Sequence, residues 1–262
     1  MVITPTNPHD AYLRRVLTQR PNVGPHLRAA VPKDPAPEID WSCMEPMPCS
    51  FVSQDLRSSY SDLLFRTRYK NHDAFLYFLV EHQSSPDRMM PLRMLRYMTG
   101  VWTRYLDENP HSRTLPVIIP IVIHNNHTGR LWSGPTQMAD LYDADPAFLA
   151  GGNPYLPRFQ FVLDDIAAID AGTVLQAQHL TAPVRALFYL QKVAPNNTDM
   201  ATALIPLIDD LRAIANGPGG ADDLIPHLTY ILLVRDTPVG DLVPVIDQLG
   251  NRAKETLMTT AD

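Results

Sequence analysis

Two carboxylates and an amide carry the chemistry that this sequence offers. Asp62 opens the apolar run SDLLF, and Glu81 and Gln83 close a second one, AFLYFLVEHQ (74–83). Two carboxylates sharing a site repel unless one is protonated or a cation lies between them. With oxygen ligands only, that cation is a hard one, Mg²⁺ or Mn²⁺, held by one or two carboxylates and otherwise by water and phosphate oxygens. The backbone carbonyl of His82 offers a third oxygen. Such an ion lowers the pKa of a bound water and offsets charge on a phosphate under attack. Spacing alone leaves the plainer reading open, because solvated strand ends and turn caps carry the same residues and E-x-Q beside a strand is common.

The elements that must position these residues are legible in outline. SFVSQ (50–54), SDLLFRTRY (61–69) and AFLYFLVEHQ (74–83) read as three strands, with KNHD (70–73) as the turn of a hairpin between the last two. Alternation puts Glu81 and Gln83 on one face and His82 on the other, where it reads as a core or supporting histidine. A helix is expected from about 87 to 106, with Ser84 or Ser85 as cap and Pro86 in its first turn. On its wheel Met90, Met94, Tyr97, Met98, Val101 and Tyr105 share one face, and Arg93, Arg96 and Arg104 the other. LPVIIPIVIHN (115–125) is a β-branched run suited to a strand buried on both faces, and FQFVLDDI (159–166) reads as a fifth strand. Upstream, AYLRRVLTQ (11–19) forms a short helix with Asp10 as cap, and the Pro-rich residues 20–50 read as an extended connection. From about 180 onward the periodicity is helical, interrupted by NGPGG (216–220). The expected division is residues 1–175 as an α/β domain and 176–262 as a helical region.

Composition excludes several classes. The 262 residues, 45% hydrophobic and 19% charged, are those of an ordinary globular chain. No apolar run approaches 18 residues and MVITPTNPHDAYLRR has no signal core, so a cytoplasmic protein without a membrane partner is expected. Cys43 and Cys49 make neither a disulfide framework nor a zinc site. The net charge of −6 argues against a nucleic-acid partner, but its distribution argues back. Residues 57–104 hold eight Lys and Arg against four acids and carry +4, leaving −10 elsewhere. His124 and His127 lack a third ligand, and Ser84 and Ser85 lack the glycines of a nucleophile elbow.

In order along the chain, YSDLLFR, LYFLVEHQSSPDRMMPLRMLRYMTGVW and LPVIIPIVIHN resemble the Rpn family of recombination-promoting nucleases, also called YhgA-like transposases. PHDAYLRRVL and SFVSQDLRSSYSDLLF are similar to the family's N-terminal part, so the resemblance spans roughly residues 7–170. It implies a restriction-endonuclease-like PD-(D/E)XK fold, an αβββαβ core here followed by a helical C-terminal extension. It implies metal-dependent cleavage of DNA linked to recombination, with Mg²⁺ as the cofactor and Mn²⁺ or Ca²⁺ as alternatives. On that resemblance Asp62 and Glu81 are the metal-binding acids and Gln83 stands where the superfamily has lysine. Asp10 matches an additional acid of many superfamily members, with helix capping the competing role, and Asp165 is a weaker candidate of the same kind. Arg88, Arg93 and Arg96, on the basic helix, are expected to contact DNA phosphates, a solvated helix face being the plainer reading. His124-Asn125-Asn126 departs from the family's tyrosine-asparagine-glycine pattern.

Two rivals follow from the same residues. Gln83 carries no charge, and with the net charge of −6 it allows a non-catalytic DNA-binding or assembly module. A strand-transferring transposase needs a second acidic constellation that the chain does not display. The C-terminal helices are the expected surface for a homo-oligomer.

Overall fold

The computed structural model describes residues 7–19, 22–32, 39–48, 63–69, 72–126, 128–150, 154–235 and 237–261, and of 72–83 the backbone. In chain order, helices α1 (Pro8–Leu17) and α2 (Val23–Ala30) precede strands β1 (Glu45–Met47), β2 (Leu63–Tyr69) and β3 (His72–Gln83). Helix α3 (Met90–Glu108), strand β4 (Val117–His124) and strand β5 (Val162–Asp165) follow. The remaining long helices are α4 (Ala182–Val193), α5 (Ile208–Ala215), α6 (Ile225–Arg235), α7 (Val239–Ile246) and α8 (Asn251–Ala261). This is a mixed α/β protein in which helices dominate.

The described residues form two compact units. One draws on Ala30–Asn125 and Arg130–Asp165, the other on Met1–Ala29, Asn126–Gly129 and Ile166–Asp262. The expectation drew a single boundary at 175; the contacts instead group α1 and α2 with the C-terminal helices.

The first unit is a five-stranded sheet in the order β1-β2-β3-β4-β5. β1, β2 and β3 are antiparallel neighbours, whereas β4 and β5 run parallel to β3. The parallel β3–β4 step needs a crossover, and α3 is that crossover. Its apolar positions 90, 94, 97, 98 and 101 follow the 3.6-residue period, and all five side chains are buried. They pack with Leu64, Ile118, Val122 and Phe161 into one core cluster, each large side chain worth roughly 1.5–3 kcal/mol on burial. Tyr105, on the same wheel face, is only half-buried. β4 is buried from Pro120 to His124. It gains β5 only from Ile121 onward, so Pro120, which has no N–H to give, stands where the strand has one neighbour rather than two.

Several expectations change. SFVSQ (50–54) lies outside the described residues, and the first described strand is Glu45–Met47. The connection expected over 20–50 holds helix α2; Pro25 sits in its first turn, where the missing N–H costs nothing. His72 and Asp73 belong to β3 rather than to a turn. The helix after β3 starts at Met90. Its entry is organised by Asp87, whose Oδ1 accepts from the Met89 N–H at 2.8 Å, while Ser84 and Ser85 are exposed upstream.

In the second unit α1 buries Tyr12, Leu13, Val16 and Leu17. Its cap is Asn7, whose Oδ1 accepts from the N–H of His9 at 3.0 Å and of Asp10 at 3.4 Å. Asp10 is therefore a first-turn residue of α1 and not its cap, a position where its charge suits the helix N-terminus. The Tyr12 ring stacks on Tyr230 of α6 at 4.3 Å, and its hydroxyl lies 2.5 Å from His227 Nδ1.

Candidate active site at the strand ends

The sheet register brings the candidate residues to one end of the parallel strands. Glu81 is level with Val122 and Leu163, His82 with Ile123 and Asp164, and Gln83 with His124 and Asp165. Glu81 and Gln83 thus occupy the last residues of β3, where β3, β4 and β5 all end in polar residues. This is the end of an open parallel sheet at which ligands are usually bound. Asp62 lies outside the described residues. Its chain neighbour Leu63 pairs with Val80, the chain neighbour of Glu81. The side chains of Glu81, His82 and Gln83 are likewise outside the description, so their positions are those of the backbone.

Beyond β3, the chain turns through Asp87 into α3. Arg88 and Arg96 are exposed. Arg93 differs from them: its side chain is only 11% exposed, its Nη1 lies 3.2 Å from Asp87 Oδ2, and its Nη2 donates to Met90 Sδ at 3.3 Å. A single carboxylate therefore ties the helix entry to the helix body, one oxygen on the Met89 N–H and the other on Arg93.

The residues after β4 supply a feature that spacing did not signal. His124 is fully buried, and its Nε2 hydrogen-bonds the carbonyl of Arg130 at 2.9 Å. The Trp132 backbone N–H donates to Asp165 Oδ2 at 3.0 Å, and its indole Nε1 donates to the Gly134 carbonyl at 2.7 Å. The His124 and Trp132 rings meet edge to face at 5.4 Å, and Trp132 meets Phe161 at 6.0 Å. Residues 130–134 are therefore clamped to the ends of β4 and β5. His124 is accounted for by this clamp, and His127 lies outside the described residues. Asp165 holds the clamp with Oδ2, while its buried Oδ1 has no hydrogen-bond partner among the described residues. Asp10 belongs to the helical unit. Among the described residues no group of three or more His, Cys, Asp and Glu side chains is placed to hold a metal ion. The oxygen donors that the sequence offers, two carboxylates and a carbonyl, are those that Mg²⁺ takes.

What fold and site define is a mixed α/β protein whose sheet presents polar strand ends beside an arginine-bearing crossover helix. The family described as "Putative transposase, YhgA-like" matches residues 7–219, and the chain belongs to it. The recombination-promoting nuclease RpnD of Escherichia coli O157:H7 is 26% identical over 270 residues, covering 99% of this chain and 94% of the relative. The recombination-promoting nuclease RpnA of Escherichia coli strain K12 is 29% identical over 261 residues, covering 98% and 83%. The inactive recombination-promoting nuclease-like protein RpnE of the same strain is 25% identical over 263 residues, covering 99% and 82%. No solved structure matches the chain. No helix among the described residues is long and apolar enough to cross a membrane.

Proposed function

We propose that this chain is a metal-dependent DNA endonuclease acting in recombination, of the PD-(D/E)XK type, with Asp62 and Glu81 holding the ion. The observation that supports it is the pairing of Leu63 with Val80 in an antiparallel β2–β3 pair, which sets the chain neighbours of two carboxylates side by side. That pair lies against a parallel β4 reached through α3, the order of elements that the PD-(D/E)XK reading needs. Asp62, Glu81 and the His82 carbonyl would hold Mg²⁺, which would supply positive charge at the phosphate and lower the pKa of a water there. Gln83 orients the attacking water or a phosphate oxygen by hydrogen bonds, without the charge a lysine would bring. Arg88 and Arg96 hold the backbone phosphates, and Arg93, paired to Asp87, keeps the helix entry in place behind them.

The test is nicking of supercoiled plasmid by the purified protein with Mg²⁺, Mn²⁺, Ca²⁺ or EDTA, beside Asp62→Ala and Glu81→Ala. Cutting that needs metal and is lost in both variants is the expected result. Cutting that survives both substitutions overturns the assignment of the acids.

A second reading keeps the fold and drops the chemistry. Gln83 in place of lysine favours it, as does a relative whose name declares it inactive. It requires salt-sensitive DNA binding that is indifferent to EDTA, with no cutting under any metal.

A further inference from the structure

The helical unit holds an open groove of about 240 Å³ between α1 and α6. Helix α1 lines it with Pro8, Ala11, Tyr12 and Arg15, the i, i+3, i+4, i+7 stripe of a single helix face. Helix α6 lines it with Ile225, Thr229 and Leu233, which recur every fourth residue. The floor is the stacked pair Tyr12 and Tyr230, both buried, with ring centroids 4.3 Å apart. Their hydroxyls are engaged elsewhere, that of Tyr12 with His227 Nδ1 and that of Tyr230 with His9 Nδ1 at 2.8 Å, so the floor offers carbon. Ile225 and Leu233 flank it 41% and 37% exposed, and the short side chains of Ala11 and Thr229 leave the space between the helices open. Two polar side chains remain on the lining, Arg15, exposed, and Thr229, half-buried. Neither has a hydrogen bond or an ion pair among the described residues. Ring contacts step backward along α6, from His9–Tyr230 to Tyr12–His227, so the helices are antiparallel and Arg15 stands toward the Ile225 end, away from Leu233.

Water in such a groove finds few polar partners, so an apolar group that displaces it is bound at a gain. The size selects the occupant. A cavity of about 150 Å³ already takes a benzene ring, whereas a stable protein partner needs an interface on the order of 1,200 Å² or more. A groove of about 240 Å³ is therefore the seat of a small molecule with a medium-length alkyl chain. The charge selects its head. One unpaired guanidinium at one end of a carbon-lined groove matches a single carboxylate, which it can take through two parallel N–H bonds. We propose that this groove binds an anionic amphiphile, a carboxylate on an alkyl chain, with the chain over Tyr12 and Tyr230 toward Leu233 and the carboxylate on Arg15. The site lies within the helical unit and does not depend on the nuclease reading.

Isothermal titration calorimetry of the full-length protein with octanoate, octanol and octylammonium, each below its critical micelle concentration or solubility limit, tests this. Octanoate should bind at a single saturable site, roughly tenfold more tightly than octanol, and octylammonium should not bind. Arg15→Gln should bring octanoate down to the affinity of octanol and leave octanol unchanged. Ala11→Leu, which fills the groove from α1 with a good helix former, should abolish binding of both. Neither position is buried, so both variants should melt no lower than the parent. Absence of saturable octanoate binding overturns the proposal. So does octanoate binding no tighter than octanol in the parent, or parent-like octanoate binding in Ala11→Leu.

Discussion

At the scale of single residues, the proposed nuclease turns on Gln83. A lysine at that position would add a positive charge at the phosphate; an amide would add only hydrogen bonds, and in the proposed site its contribution would lie in orientation. Gln83→Ala should therefore lower the rate of cutting at saturating DNA by about 10²-fold, the range of a lost positioning or transition-state hydrogen bond, with DNA affinity in EDTA unchanged. Single-turnover plasmid cleavage beside anisotropy separates the two quantities. A proportional loss of binding would mean that Gln83 holds substrate and orients nothing. Asp165 makes a contrasting case among the polar strand ends. One of its oxygens is committed to the Trp132 N–H, so its first role is to hold a loop. Asp165→Ala should lower stability by about 1 kcal/mol by removing the acceptor of that half-buried N–H, read as a shift of the denaturant midpoint.

At the scale of elements, Asp87 sets Arg93 apart from the other arginines of the α3 stripe. The heptad-like spacing of Met90, Met94, Tyr97, Met98 and Val101 made its buried face legible, since periodicity alone fixes which side of a helix meets a sheet. The same wheel could not distinguish Arg93 from Arg96, because what separates them is Asp87, in the turn before the helix. Arg93→Ala should thus cost roughly 1–2 kcal/mol of stability, more than an exposed pair gives, because the pair is mostly covered and shares a carboxylate with the helix entry. Arg96→Ala should leave the melt unchanged and weaken DNA binding. Equal effects of both on binding, with neither touching stability, would return Arg93 to the phosphate-facing set. The strands β2, β3 and β4 were legible for a similar reason, being continuous β-branched or aromatic runs between turn residues. Helix α2 was not, since proline-rich sequence reads as connection until tertiary packing favours a helix, here by burying Val23 and Leu27. Nor was the clamp on residues 130–134, whose partners stand far apart in sequence and carry no common motif.

At the scale of the whole molecule, the helical unit carries a buried polar junction that makes stability depend on pH. His227 of α6 is fully buried, and burial pushes its pKa down to about 3. Burial also raises the pKa of Tyr12 well above its ordinary value, so the phenol keeps its proton and the imidazole stays neutral where the two share a hydrogen bond at Nδ1. An ordinary histidine in the unfolded chain titrates near 6.5. Between that value and about 3 the unfolded chain binds a proton that the folded chain refuses, so stability rises with pH across this window and falls as the solution is acidified. The cost approaches about 1.4 kcal/mol per pH unit well below 6.5 and comes to about 1.7 kcal/mol from pH 6.5 to 5, a range above most carboxylate titrations. Chemical denaturation at pH 6.5 and at pH 5 should show that loss in the parent. His227→Gln, which leaves an acceptor near the Tyr12 hydroxyl and has nothing to protonate, should remove most of it. If the variant loses as much stability as the parent over this interval, the pH dependence originates elsewhere and the buried histidine is not its cause.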